Sequence, residues 1–182
     1  MKQNKKHIIY LYGGPGSGKS TAAAQFFALA KQQGINIELV REYIKNWVWE
    51  ERKRRVGDQV YVLAKQARAE QICFPHVDMI VSDSPLYNSP IYEQLYDKPP
   101  FVCLPVINKF TADARRNGFE YVHIYIERCK PYHQAGRYEN EEKAKYIDDY
   151  IKLFLTQINI KYHTVLGDEN AANEILKIVN NK

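Results

Sequence analysis

Residues 13–20 read GGPGSGKS and constrain this chain more than any other stretch. They meet every required position of the phosphate-binding pattern G-x-x-x-x-G-K-[ST]. The pattern works only between a buried strand and a helix, and both flanks comply. Residues 7–12 (HIIYLY) are an apolar run that predicts a strand, and residues 21–31 predict a helix with Ala22, Ala23, Phe26, Phe27 and Ala30 at helical spacing. Glycines let backbone N–H groups turn inward around an anion, and the helix adds the positive end of its dipole. Gly13, Gly14, Gly16, Ser17, Gly18, Lys19, Ser20 and Thr21 are therefore expected to cradle a nucleoside triphosphate. Lys19 would reach the β- and γ-phosphates, and the Ser20 hydroxyl would sit on Mg²⁺.

The rest of the chain supplies a scaffold for such a loop. Residues 35–40, 77–82, 119–126 and 162–166 are short apolar runs that predict four more strands, alternating with helical segments. Gly57 breaks a charged run and Asp58 is expected to cap a helix to about residue 73, with Val62, Ala69 and Ile72 inward. A helix over 106–117 stops at Gly118; Asn140 caps a longer one whose inner face carries Ala144, Ile147, Ile151, Phe154 and Ile158; Asp168 opens the last. Residues 86–105, rich in Pro and Tyr, show no readable period. The alternation predicts an α/β fold of three layers, a five-stranded parallel sheet with helices on both faces, in one domain over residues 1–182.

Composition excludes several classes. No apolar run approaches the roughly 20 residues that span a membrane. The polar, basic start leads straight into a strand, unlike a secretory signal. Cys73, Cys103 and Cys129 are odd in number and widely spaced, which predicts reduced thiols and a cytoplasmic location rather than a zinc site or disulfide framework. The net charge of +5 suits ATP, a phosphorylated substrate or another polyanion.

The expected strand ends carry the remaining chemistry, because an open parallel sheet presents its ligands there. The second strand runs into Arg41-Glu42-Tyr43 and the third into Asp83-Ser84-Pro85. A carboxylate at either place can orient a hydroxyl and take its proton, and Asp83 can also hold Mg²⁺ through water. Residues 127–139, after the fourth strand, form a polar loop with Arg128, Lys130, His133 and Arg137, and Gly136 as a hinge. A mobile segment with three cations, Arg128, Lys130 and Arg137, can close over a triphosphate, offset charge at the transferred phosphoryl group and exclude water.

Together the P-loop, Arg41-Glu42-Tyr43, Asp83-Ser84-Pro85 and the stretch from Lys130-Pro131-Tyr132 to Gly136-Arg137-Tyr138 resemble a family of small P-loop kinases. That family includes ribosylnicotinamide kinase domains and bacteriophage-encoded AAA-like ATP-binding proteins; the resemblance spans roughly residues 7–166 and extends, more distantly, to deoxynucleoside and thymidylate kinases. It implies ATP and Mg²⁺ as cofactors, Glu42 as an acceptor-side acid, Asp83 as a Mg²⁺ or base residue, and Arg128 and Arg137 as lid arginines. One departure is Pro85, where ribosylnicotinamide kinases carry a second acid.

The expected reaction is transfer of the γ-phosphate of ATP to a hydroxyl of a nucleoside unit, free or within DNA. Some phage kinases of this kind act on 5-hydroxymethylpyrimidines in DNA. The run Arg52-Lys53-Arg54-Arg55 can track a phosphate backbone, with Trp47, Trp49 and several tyrosines to grip an extruded base. The alternatives are a nucleoside monophosphate kinase, which needs no base, and a P-loop ATPase or nucleotide-gated interaction module.

Overall fold

The computed structural model describes residues 5–181. Its elements in chain order are β1 (Lys6–Tyr12), α1 (Lys19–Gln32), β2 (Ile37–Val40), α2 (Lys45–Trp49), α3 (Asp58–Gln71) and β3 (Met79–Ser82). There follow α4 (Asn88–Tyr96), α5 (Cys103–Arg116), β4 (Phe119–Glu127), α6 (Glu141–Gln157), β5 (His163–Leu166) and α7 (Ala171–Asn180). The five strands form one parallel sheet in the order β2-β3-β1-β4-β5, as the alternation predicted.

β1 is central and buried from His7 to Tyr12, so its side chains alternate between two buried faces. Ile9 and Leu11 pack with Ala22, Ala23 and Phe26 of α1 and with Ile175 and Val179 of α7. Ile8, Tyr10 and Tyr12 face α3, α5 and α6 through Leu63, Ile107 and Ile151. Burying each large aliphatic side chain contributes roughly 1.5–3 kcal/mol, which favours the central strand position for the most apolar segment.

Pairing brings the carboxyl ends of the strands to one edge: Tyr10 lies beside Ser82, which lies beside Val40, and Tyr12 lies beside Tyr125. Residues 13–20, Glu42, Asp83 and Arg128 all follow directly from these ends. The chain order reverses around β1, which opens a crevice at its end.

Four local expectations need correction. Asp58 is not the cap of α3: Gly57 takes that place at φ 82°, while Asp58 accepts from the Arg55 N–H at 2.8 Å and pairs with Arg52. Ile72 lies past the last turn and is half exposed. α7 begins at Ala171 with Asn170 at its cap position, and Asp168 accepts from the Asn170 N–H instead. Residues 86–105 contain α4 and the first turn of α5, with Leu86, Ile91 and Cys103 in the core; Pro and Tyr masked a real helical period. Asn140 does cap α6, its Oδ1 accepting from the Lys143 N–H at 2.9 Å.

No described helix is long and apolar enough to cross a membrane.

Candidate active site

Gly18 turns the chain from the loop into α1 at φ 105°, a left-handed conformation open to glycine. The first helical bond joins the Ala22 N–H to the Gly18 carbonyl at 2.9 Å, so the Lys19, Ser20 and Thr21 amides have no acceptor within the helix. Those amides, with Gly16 and Gly18, border a cavity of about 260 Å³. Lys19 lies across its floor, donating to the Gly13 carbonyl at 2.6 Å and the Gly14 carbonyl at 2.9 Å. Burial pulls the Lys19 pKa below its ordinary value, against the pull of Glu42, Asp83 and Asp148. A half-buried ammonium whose direct partners are neutral carbonyls is prepared for an anion.

The loop is braced from behind. Asp148 on α6 accepts from the Gly14 N–H at 2.6 Å and from Arg128 Nε at 2.8 Å; Arg128 Nη2 donates to the Pro15 carbonyl at 2.8 Å. Arg128, expected in the lid over the nucleotide, thus brackets the loop from outside the cavity wall. Its Nη1 is buried without a hydrogen-bond partner. Asp148 had no place in the expected site, yet one signal was there: it sits four residues after Ala144 and three before Ile151, a charge on an apolar stripe.

The two strand-end acids take different positions. Glu42 lines the cavity, while Asp83 lies behind it, 5% exposed, accepting from the Glu42 N–H at 2.9 Å. Burial raises the Glu42 pKa above the usual carboxylate range, opposed by Lys19 and Lys45. Beyond Glu42 the wall is completed by Gln59 and Gln66 from α3 and by Asn88 and Tyr92 from α4. Asn88 is nearly buried and its Oδ1 has no partner.

The segment 128–140 reaches the cavity through Gly136, Arg137, Tyr138 and Glu139, which line it. A Cβ on Gly16 would come within 3.1 Å of the Tyr132 ring and 3.2 Å of Arg137 Nε, so both side chains lie directly on the loop. Arg137 lines the cavity and is held by the His133 and Ala135 carbonyls. Lys130 and His133 are solvent-exposed. The far end of the segment docks across the cleft: Gly136 abuts the Trp49 ring, where a Cβ would approach to 2.7 Å, and the Tyr138 hydroxyl donates to the Arg52 carbonyl at 2.7 Å.

The basic run receives this segment. Arg54 pairs with Glu139, its guanidinium 4.2 Å from the Tyr96 ring centroid and 4.5 Å from that of Tyr138. Arg52 pairs with Asp58 at 3.0 Å and stacks 3.5 Å over Trp47, whose ring is also stacked on Tyr61. Only Lys53 and Arg55 of the run remain exposed. Trp47 is buried among these partners and is not placed to hold a base; Trp49 is exposed but covers Gly136.

Several solved structures share this architecture. The NadR protein, solved in complex with NR, matches with a TM-score of 0.70 at 15% identity, over 97% of this chain and 51% of that one. The chain therefore spans about half the length of that protein. A deoxyadenosine kinase from M. mycoides, solved with the products dCMP and a flexible dCDP, matches with a TM-score of 0.58 at 17% identity, over 96% of this chain and 100% of that one. At these identities the likeness shows a shared α/β fold. No curated protein matches the sequence. The sequence model of the AAA domain matches residues 8–171, and this chain belongs to that family.

Proposed function

We propose that the protein transfers the γ-phosphate of ATP to a hydroxyl of a nucleoside. The observation that carries this reading is the cavity shared by Lys19 and Glu42: an anion-ready cation on its floor and a half-buried carboxyl on its wall. ATP occupies the loop end, with its phosphates against Lys19, the free first-turn amides and Arg137. The acceptor lies between α3 and α4, its hydroxyl toward Glu42, which takes the proton. Asp83 holds the Glu42 backbone and serves as a positioning residue. The oxygen donors here, the Ser20 hydroxyl on the cavity wall and the Asp83 carboxylate behind it, suit a hard cation, so both are assigned to Mg²⁺, Asp83 through water. When bound, Mg²⁺ offsets charge on the phosphate oxygens. The docked segment over the mouth excludes water, which would otherwise compete as acceptor. Arg128 positions the loop through Pro15 and Asp148 and is not assigned a contact with ATP in this docked form. The ligands in the two similar structures, NR in one and dCMP and dCDP in the other, support a nucleoside-type acceptor.

Labelled ATP and Mg²⁺ with nucleosides, nucleoside monophosphates, hydroxymethylpyrimidine DNA or no acceptor test this directly. Labelled nucleoside monophosphate is the expected product. Diphosphate as the sole product indicates a monophosphate kinase, labelled DNA a DNA-base kinase, and inorganic phosphate alone an ATPase. Each overturns the nucleoside reading.

A further inference from the structure

The charges around the cavity are sorted in a way the transfer reaction alone does not require. Four cations line it, Lys19, Lys45, Arg54 and Arg137, together with two carboxylates, Glu42 and Glu139. Lys19 and Arg137, at the P-loop end, are held by backbone carbonyls. At the other end Arg54 is paired with Glu139, and Lys45 lies close enough to Glu42 to favour its ionised form. The Arg54–Glu139 pair is largely withdrawn from water, with side chains 23% and 6% exposed. The Glu139 carboxylate also accepts from the Tyr96 hydroxyl at 3.0 Å. Charge at the loop end is left for an incoming anion, and the Arg54 charge at the acceptor end is already answered within the protein.

Resting on the nucleoside-kinase reading above, the geometry points to Glu139 as a specificity-determining residue that masks Arg54 and so rejects acceptors carrying a phosphate. An unmasked guanidinium on that wall, with its planar set of donors, would be a strong phosphate ligand. Paired with Glu139 it presents almost no net charge, and an acceptor phosphate entering beside it meets the carboxylate as a like charge left with little solvent to screen it. Discrimination is then achieved by a repulsive element supplied from the lid segment. It is in force when the segment is docked, which is the form in which transfer occurs.

The test compares kcat/KM for a set of nucleosides and the corresponding 5′-monophosphates, following every phosphorylated product. The wild-type protein should favour nucleosides by at least tenfold. Glu139→Gln keeps an acceptor for Tyr96 but frees Arg54, and should shift the ratio at least tenfold toward monophosphates. Arg54→Gln, which leaves Glu139 unpaired, should shift it the other way, and the double variant should return toward wild type. A wild-type preference for monophosphates overturns the inference while leaving phosphotransfer intact. Phosphorylation of neither acceptor class defeats the underlying kinase reading instead. An active or folded Glu139→Gln protein with an unchanged ratio, or one that loses both substrates equally, makes the pair a lid fastening and overturns the inference. Should Glu139→Gln fail to fold, Arg54→Gln alone decides: an unchanged ratio overturns it.

Discussion

At the P-loop end Lys19 and Arg137 rest on backbone carbonyls, whereas at the acceptor end Arg54 is tied into a side-chain ion pair with Glu139 of the segment that docks across the cleft. A carbonyl is a neutral partner that a phosphate oxygen outcompetes, so the first arrangement yields readily to a ligand. A buried carboxylate is a full counter-charge, so the second holds until the segment carrying it moves. The two lid arginines divide along this line: Arg137 faces the cavity on weak partners, and Arg128 is committed to Asp148 at 2.8 Å. One end is prepared to bind, the other to enclose.

The largest effect expected is at the junction of the two ends. Glu42→Gln should lower kcat by roughly 10²–10⁴-fold, the usual contribution of a positioned base. ATP affinity, measured by equilibrium binding, should stay within about twofold, since the base touches the acceptor side. Because burial raises the Glu42 pKa, kcat of the wild type should climb with pH along a limb displaced above the ordinary carboxylate range, and the variant should lose that limb. Retained turnover would erase the distinction between the ends.

Lys19→Ala attacks the loop end alone. It should lower kcat/KM by roughly 10²–10³-fold, the range for removing one preorganised charge from a phosphoryl-transfer site. Nucleoside binding should change little.

Asp148→Asn separates bracing from binding. It leaves an acceptor for Gly14 but deprives Arg128 of its counter-charge, and should raise KM for ATP about tenfold while kcat at saturation falls less. Denaturant unfolding should show a loss of about 2–4 kcal/mol, below that for breaking a fully buried pair because both partners are about a tenth exposed. Equal loss of kcat and kcat/KM would give Arg128 a direct role in the transition state.

The smallest effect concerns the support beneath the acceptor wall. Glu70 on α3 is buried against Tyr10, whose hydroxyl donates to it at 2.8 Å, and burial lifts its pKa to about 8. The folded protein therefore keeps a proton that the unfolded chain releases near pH 4.5. Stability from this group is complete below that pH and is lost progressively as pH rises toward about 8. Glu70→Gln should match wild type at pH 4 and exceed it at pH 9 by on the order of 1–3 kcal/mol in denaturant unfolding. A parallel offset at both pH values would show that Glu70 titrates normally.

Much of this was legible because the decisive signals are local. Residues 13–20 take their loop form from backbone conformation, which glycine positions and flanking periods specify within a few residues. Strand ends are local too, so Glu42 and Asp83 could be named, but which of them meets the cavity could not. Asp83 is turned to the Glu42 amide by the packing of β2 against β3. The basic run was legible only as a row of cations, because a sequence does not show their partners: Arg54 pairs with Glu139 and Arg52 with Asp58. Asp148 is 134 residues from the Gly14 amide it holds, and only the docking of α6 joins them.

By itself the sequence determined the alternation of strands and helices, the phosphate loop and the set of charged residues at the strand ends. These follow from periodicity and backbone preference, which act over a few residues. The tertiary structure decided which charges are spent on one another and which remain for ligands. That is a matter of distance and desolvation between segments far apart in the chain, and it makes Arg137 a cavity cation, Arg128 a brace and Arg54 a partner of Glu139.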